Sequence, residues 1–400
     1  MSTLWRQTEE PDPWFAAFLA GEDHLLDLQL VPHDCRASLA HARMLHGIGI
    51  LDDAELASLE AGLNEVADRA AWGQFVIAPG EEDGHTAIEN FLTVRCGEAG
   101  KKIHTGRSRN DQVLTAVRLW EKDRLGAVLA ALDAYAAALG AAADRYVDVA
   151  MPGFTHMQAA MPTTVPVWLG SFAAAAGDDR RYVELALASV DQCPLGTAAG
   201  FGVPVIPLDR ARTAAELGFA RVQDNPMYAQ LSRGRLETLV LAACAQVMHG
   251  LNRLASDLLL FSTREFALVS LPPALCTGSS LMPQKRNADV LELVRGSYHV
   301  VVGEETKIRT MTAGLMSGYN RDVQLTKGPV MRGVAVTLDC LRAMTMVLEG
   351  LEVDAAACAA ALTDELYATE RALALVARGV PFRDAYRQVA AAEAGKRTAG

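Results

Sequence analysis

The sequence predicts an all-α protein built around a bundle of very long helices, and three observations carry that expectation. First, apolar residues recur at three- and four-residue steps. Behind Asp52, which can cap a helix with Glu55 three residues on, stand Leu56, Leu59, Leu63 and Val66. Second, the stretch from Asp111 to about Val149 holds no proline and keeps the same rhythm at Leu125, Val128, Leu132, Tyr135 and Leu139. A helix of that length would reach roughly 55–60 Å. Third, no sustained alternation of period two is found, so a β-rich fold is not expected.

The remaining elements follow the same pattern. From Arg235 to about Ser262, Leu236, Leu239, Val240, Ala243, Val247, Leu251, Leu254 and Leu258 fall on one face. Further helices are expected to begin near Thr163, Ala288 and Asp322. Several long helices together imply a bundle. Apolar faces wider than a two-helix seam needs imply that subunits share a core.

Composition narrows the class. At 400 residues the chain exceeds the usual size of one hydrophobic core. Half the residues are hydrophobic and 21% are charged, which excludes global disorder. A net charge of −11 argues against nucleic-acid or anionic-membrane partners, while leaving room for an anionic small-molecule substrate in a local basic pocket. Seven scattered cysteines without a C-x-x-C pair suggest free thiols rather than a disulfide frame or zinc site. The N-terminus lacks a signal-like apolar core, and no apolar run approaches the ~20 residues that span a bilayer. A cytoplasmic protein is expected.

Glycine, proline and polar clusters break the helices at Lys101–Asn110, Met151–Pro162, Cys193–Pro207 and Pro272–Asn287. Loops held by rigid helices are where chemistry tends to sit. Gly278-Ser279-Ser280-Leu281-Met282-Pro283-Gln284-Lys285-Arg286-Asn287 could close over an anion and bring a hydroxyl to a C–H bond. It could equally be a polar capping loop. His104-Thr105-Gly106-Arg107-Ser108-Arg109-Asn110-Asp111-Gln112 offers a guanidinium fork, a hydroxyl and an amide at a helix N-terminus, a set suited to a dicarboxylate. A surface charge or helix cap is the plainer alternative. His156, in Met151-Pro152-Gly153-Phe154-Thr155-His156-Met157-Gln158, titrates near neutrality and suits proton transfer, although a lone histidine is more often structural. Glu292 and the pair Gln324 and Lys327, three apart on an expected helix face, could also be solvated surface.

Taken together, these segments resemble the argininosuccinate lyase family of the fumarase/aspartase superfamily, in that family's order and spacing from about Gly21 to Gln388. The 278–287 segment is similar to the GSSxMPxKxN signature, 104–112 to the family's second motif, and 151–158 to its first. Asp83-Gly84-His85-Thr86 resembles the E-D-[IV]-H segment, and Tyr319-Asn320-Arg321-Asp322-Val323-Gln324-Leu325-Thr326-Lys327 resembles YN[KR]D-x-Q-x-x-K.

The resemblance implies elimination of fumarate from a succinyl amine. Ser279, His156, Glu292 and Lys285 would be catalytic. Asp23, His85, Ser108, Arg109, Asn110, Thr155, Asn287, Tyr319, Gln324 and Lys327 would bind substrate. Glu292 would back His156, and which of Ser279 and His156 is base or acid stays open. No metal or organic cofactor is implied. The resemblance further implies three helical domains, 1–107, 108–352 and 353–400, and a homotetramer whose sites collect loops from several subunits. Asp23 departs from the family, standing where many members have serine. Ala159 and Ala160 fall in a run usually containing arginine, Leu325 and Thr326 replace frequent acids, and Ala288 replaces a proline.

Overall fold

The computed structural model describes residues 12–78 and 81–398. Helix dominates them, and each strand among the described residues belongs to a two-stranded sheet. The long helices are Arg109–Arg145, Val165–Val190, Arg235–Phe261, Asp289–Thr312 and Lys327–Gly350. Alanine and leucine, which lose little on entering a helix, fill the first of these. That composition also corrects the reading of apolar runs. By length and composition, an 18-residue window of Arg109–Arg145 is apolar enough to cross a membrane. Alanines fill the window, so a search for runs of large apolar residues passes it over. Its larger members Leu125, Val128, Leu132 and Leu139 are at most 2% exposed.

By its contacts the chain forms two compact units. The first comprises Met1–Leu129, Arg181–Ala245 and Val300–Val336. In it the helices Val31–Gly47, Asp53–Ala71 and Gly84–Cys96 enclose a core of Val31, Leu45, Leu59, Leu63, Leu92 and Ile103. The predicted capping box is present: Glu55 N donates to Asp52 Oδ1 at 2.8 Å, and Asp52 N donates to Glu55 Oε2 at 3.1 Å. Such a cap stabilises a helix by about 1 kcal/mol. It also fixes the phase that turns Leu59, Leu63 and Val66 fully inward. A second cluster packs Leu119 against Cys193, Leu195, Leu217 and Phe219.

The second unit comprises Ala130–Arg180, Gln246–His299 and Thr337–Gly400. Phe154, Trp168, Phe261 and Phe266 gather there with ring centroids 5.4–6.2 Å apart. Trp168 Nε1 donates to Asp257 at 3.0 Å, satisfying the indole within that apolar group.

Two local expectations change. Met151–Pro162 is an antiparallel hairpin, Ala150–Thr155 paired with Gln158–Thr164, rather than an irregular loop. A register shift between Gly153 and Phe154 breaks the alternation that would have marked it in the sequence. The segment near Asp322 opens as a 3-10 turn, Arg321–Thr326, and the α-helix starts at Lys327. Pro329 lacks an amide hydrogen and is tolerated only in a first turn, which sets the start there. Gln324 and Lys327 therefore do not share one α-helical face.

Candidate active site

The first unit holds a compact charged cluster assembled from four segments. Asp83 caps the helix Gly84–Cys96, accepting from Thr86 N at 2.9 Å and Thr86 Oγ1 at 2.8 Å. That cap sets His85 in the first turn, buried at 5% exposure against Asp34 of the helix Val31–Gly47. Burial alone would lower the imidazole's pKa. The charge and hydrogen bond of Asp34, with Asp83 and Asp27 nearby, outweigh it and raise it to about 9. His85 is therefore an imidazolium at neutral pH.

Asp27 joins two of these segments. Its Oδ2 accepts from Gly84 N at 3.0 Å and its Oδ1 from Lys327 Nζ at 2.6 Å. Lys327 also reaches Asp23 Oδ1 at 2.8 Å and is only 3% exposed, so the solvated-surface reading fails for it. Burial opposes the charge on Lys327, but the two carboxylates raise its pKa above the ordinary value. For Asp23, burial is the larger effect. With repulsion from Asp27 and Asp83 it raises the carboxyl to about 6 against the pull of Lys327.

Arg109, expected as an open fork for a dicarboxylate, is engaged here by Glu82 Oε1 at 2.8 Å and Asp83 Oδ2 at 3.1 Å. Arg321 shares Glu82 at 2.6 Å. Gln324 Nε2 donates to Leu19 O at 2.9 Å. Tyr319 is 40% exposed, and the Arg233 guanidinium lies 5.4 Å over its ring. The Ser108 hydroxyl accepts weakly from Asn110 N at 3.4 Å. The Asn110 side chain has no hydrogen-bond partner among the described residues, leaving its amide available to a ligand.

The second unit carries the other candidates. His156 and Met157 form the hairpin's two-residue turn, with φ of 53° and 60°. Right-twisted strands favour a turn with both central residues left-handed, normally glycine, asparagine or aspartate. For side chains such as these the conformation costs roughly 1–2 kcal/mol per residue. The strain presents His156 at an exposed tip beside Thr155. Ser279 leads the connection of a short hairpin in which Thr277 faces Asn287 and Gly278 faces Arg286. Its Oγ accepts from Met282 N at 3.1 Å and Leu281 N at 3.3 Å. Two amide donors on one hydroxyl oxygen favour its ionised form, which is what a serine base requires. Lys285 is exposed at the end of the same connection. Glu292, in the first turn of Asp289–Thr312, is exposed too, and no ion pair joins it to His156 among the described residues of this chain. The expected pairing is thus not made within one chain.

The candidates therefore divide. Asp23, His85, Ser108, Arg109, Asn110, Tyr319, Gln324 and Lys327 lie in the first unit. Thr155, His156, Ser279, Lys285, Asn287 and Glu292 lie in the second. Comparison with known proteins decides what this inventory belongs to. A lyase family profile matches residues 7–303. An argininosuccinate lyase of Thermotoga neapolitana is 44% identical over 387 residues, spanning 97% of both chains. One of Sorangium cellulosum is 47% identical over 97% of this chain and 90% of its own. The chain belongs to the argininosuccinate lyase family.

Solved structures agree on the fold. EDDS lyase in complex with formate is 27% identical with a TM-score of 0.81, covering 96% of this chain and 76% of its own. A class II fumarase from Schistosoma mansoni, 16% identical, superposes at 0.83 over 99% of this chain and 91% of its own. Against that family background, the residues that sequence reasoning missed are Asp27, Asp34, Glu82 and Arg321. Each forms its ion pair with a residue far along the chain, Asp27 with Lys327 being the extreme case, so no local spacing marks it. Asp27 and Asp34 had only one available signal, an acid in the first turn of its helical segment.

Proposed function

We propose that the protein cleaves argininosuccinate to arginine and fumarate by β-elimination. The observation that carries the reading is the match to argininosuccinate lyases at 44–47% identity along nearly the whole chain. A base takes the Cβ proton of the succinyl portion, and the resulting carbanion spreads its charge into the adjacent carboxylate. Stabilising that developing dianion is the hard step, and fixed donors are the means. Thr155, Asn110, Lys285 and Asn287 are assigned to it. Ser279 is the proposed base, because two amides already solvate its oxygen. His156, backed by Glu292, manages the proton of the departing guanidinium nitrogen. Lys327, Gln324, Tyr319, Asp23 and His85 receive the amino-acid end, where paired acids and bases suit a zwitterion.

The absence of a Glu292–His156 ion pair among the described residues of one chain favours a homotetramer whose pockets take residues from different subunits. We further propose a cytoplasmic location and domain limits at 107 and 352. A second reading is another fumarate-releasing C–N lyase acting on a different succinyl amine. The likeness to EDDS lyase, one of whose structures holds fumarate, and the unusual Asp23 favour it. Incubating the purified protein with argininosuccinate, adenylosuccinate and aspartate while following fumarate absorbance separates the two. Release from argininosuccinate alone is expected. Release from adenylosuccinate or aspartate instead would favour the second reading, and release from none of the three would leave a lyase for another succinyl amine or a catalytically inactive structural homologue.

A further inference from the structure

The loop Cys193–Pro207 carries no residue assigned to the reaction, yet a single buried carboxylate ties it to a loop that does. Asp111 is fully buried. Its Oδ1 accepts from Ser108 N at 2.8 Å, and its Oδ2 accepts from Gly196 N and Ala198 N, both at 2.9 Å. The last two amides come from a turn in which Gly196 has φ 85° and Ala198 φ 50°. Left-handed residues in such a turn aim neighbouring N–H groups at one anion. The turn is braced from behind. Arg210 Nε donates to Leu195 O at 3.0 Å, and a Cβ on Gly196 would meet the Arg210 side chain at 2.8 Å. Leu195 is also anchored in the cluster with Leu119. The turn is thus a fixed support, and the carboxylate transmits its position to Ser108. Since the Ser108 hydroxyl accepts from Asn110 N, the place of Ser108 sets that of Asn110.

We propose that Asp111 is a positioning residue for the elimination, clamping Ser108, Arg109 and Asn110 to the Gly196–Ala198 turn. The proposal rests on the reaction given above. All three contacts need an acceptor, and only a carboxylate offers one on each side. In Asp111→Asn the amide nitrogen turns a donor toward one set of N–H groups, so either Ser108 or the turn is released.

The test is a double-mutant cycle on the intact enzyme, measuring fumarate release by wild type, Asp111→Asn, Asn110→Ala and the double variant. Asp111→Asn should lower kcat by roughly a hundredfold, the scale of an ångström-sized misplacement. In the Asn110→Ala background the further loss should be clearly smaller than in wild type, because one of the three positioned groups is gone. Losses that simply multiply would reveal a general structural effect and overturn the proposal, as would an unchanged kcat in Asp111→Asn. Amide hydrogen exchange supplies a readout independent of activity. In wild type the Ser108, Gly196 and Ala198 amides should be protected together, and Asp111→Asn should release at least one side with the melting temperature and mass retained. Unprotected amides in wild type would overturn the clamp even if the variant failed to fold. A wild-type protein that releases no fumarate would refute the reaction, while the exchange data would still decide the clamp.

Discussion

Replacing Asp23 with asparagine should stabilise the protein, and by an amount that depends on pH. Asp23 is 8% exposed, and burial with two neighbouring carboxylates raises it from an ordinary 3.8 to about 6. Moving a carboxyl that far corresponds to about 3 kcal/mol of disfavoured ionisation in the folded state. Between pH 3.8 and about 6 the folded chain holds a proton that the unfolded chain has released. Stability therefore falls as pH rises through that window and stays low above it. Asparagine keeps an acceptor for Lys327 and carries no charge, so the variant should be more stable than wild type near neutrality by up to about 3 kcal/mol. The difference should close as pH drops toward 4. Urea unfolding at a series of pH values, with protein concentration held constant, measures it directly. A variant less stable than wild type near neutrality, or a difference that ignores pH, would refute the reasoning.

Other expected outcomes follow from the same contacts. Ser279→Ala should lower kcat by several orders of magnitude with little change in KM, and a kcat within about threefold of wild type would remove Ser279 as the base. Lys327→Met strands Asp23 and Asp27 together and should cost roughly 3–5 kcal/mol in unfolding experiments. Gln324→Ala should raise KM with the fold intact, and an unchanged KM would confine Gln324 to its contact with Leu19. The imidazolium of His85 contributes stability that is fully present below pH 6.5 and lost as pH rises through about 9. His85→Asn should flatten that alkaline fall, seen in melting temperatures across the same range.

Long-helix periodicity made the architecture readable in advance, because the burial of one helical stripe repeats at fixed spacing and needs no knowledge of partners. Leu59, Leu63 and Val66 are turned fully inward as their spacing requires, and the Asp52–Glu55 box starts their helix. The hairpin around His156 was not readable, since its bulge hides the alternation and proline and glycine resemble a loop. The motif loops could be found in the sequence because their chemistry is concentrated in consecutive residues. The ion pairs that hold them could not. Lys327 meets Asp27 and Asp23 across some three hundred residues of chain, and Arg109 turns to Glu82 and Asp83 instead of lying open. A spacing rule sees residue types, whereas burial and partner choice depend on how distant segments pack.

We propose that Asn110 of one subunit and Ser279 of another serve one reaction. Mixing two inactive variants tests it most directly. Asn110→Leu and Ser279→Ala, each confirmed inactive, are combined, mildly dissociated and reassembled, and fumarate release from argininosuccinate is measured. Random hybrid tetramers place an intact Asn110 and an intact Ser279 together in about one pocket in four, so activity should recover to roughly a quarter of wild type. If mass measurements show that hybrids have formed and activity stays at the level of the separate variants, both residues act within one chain's own pocket and the claim is contradicted.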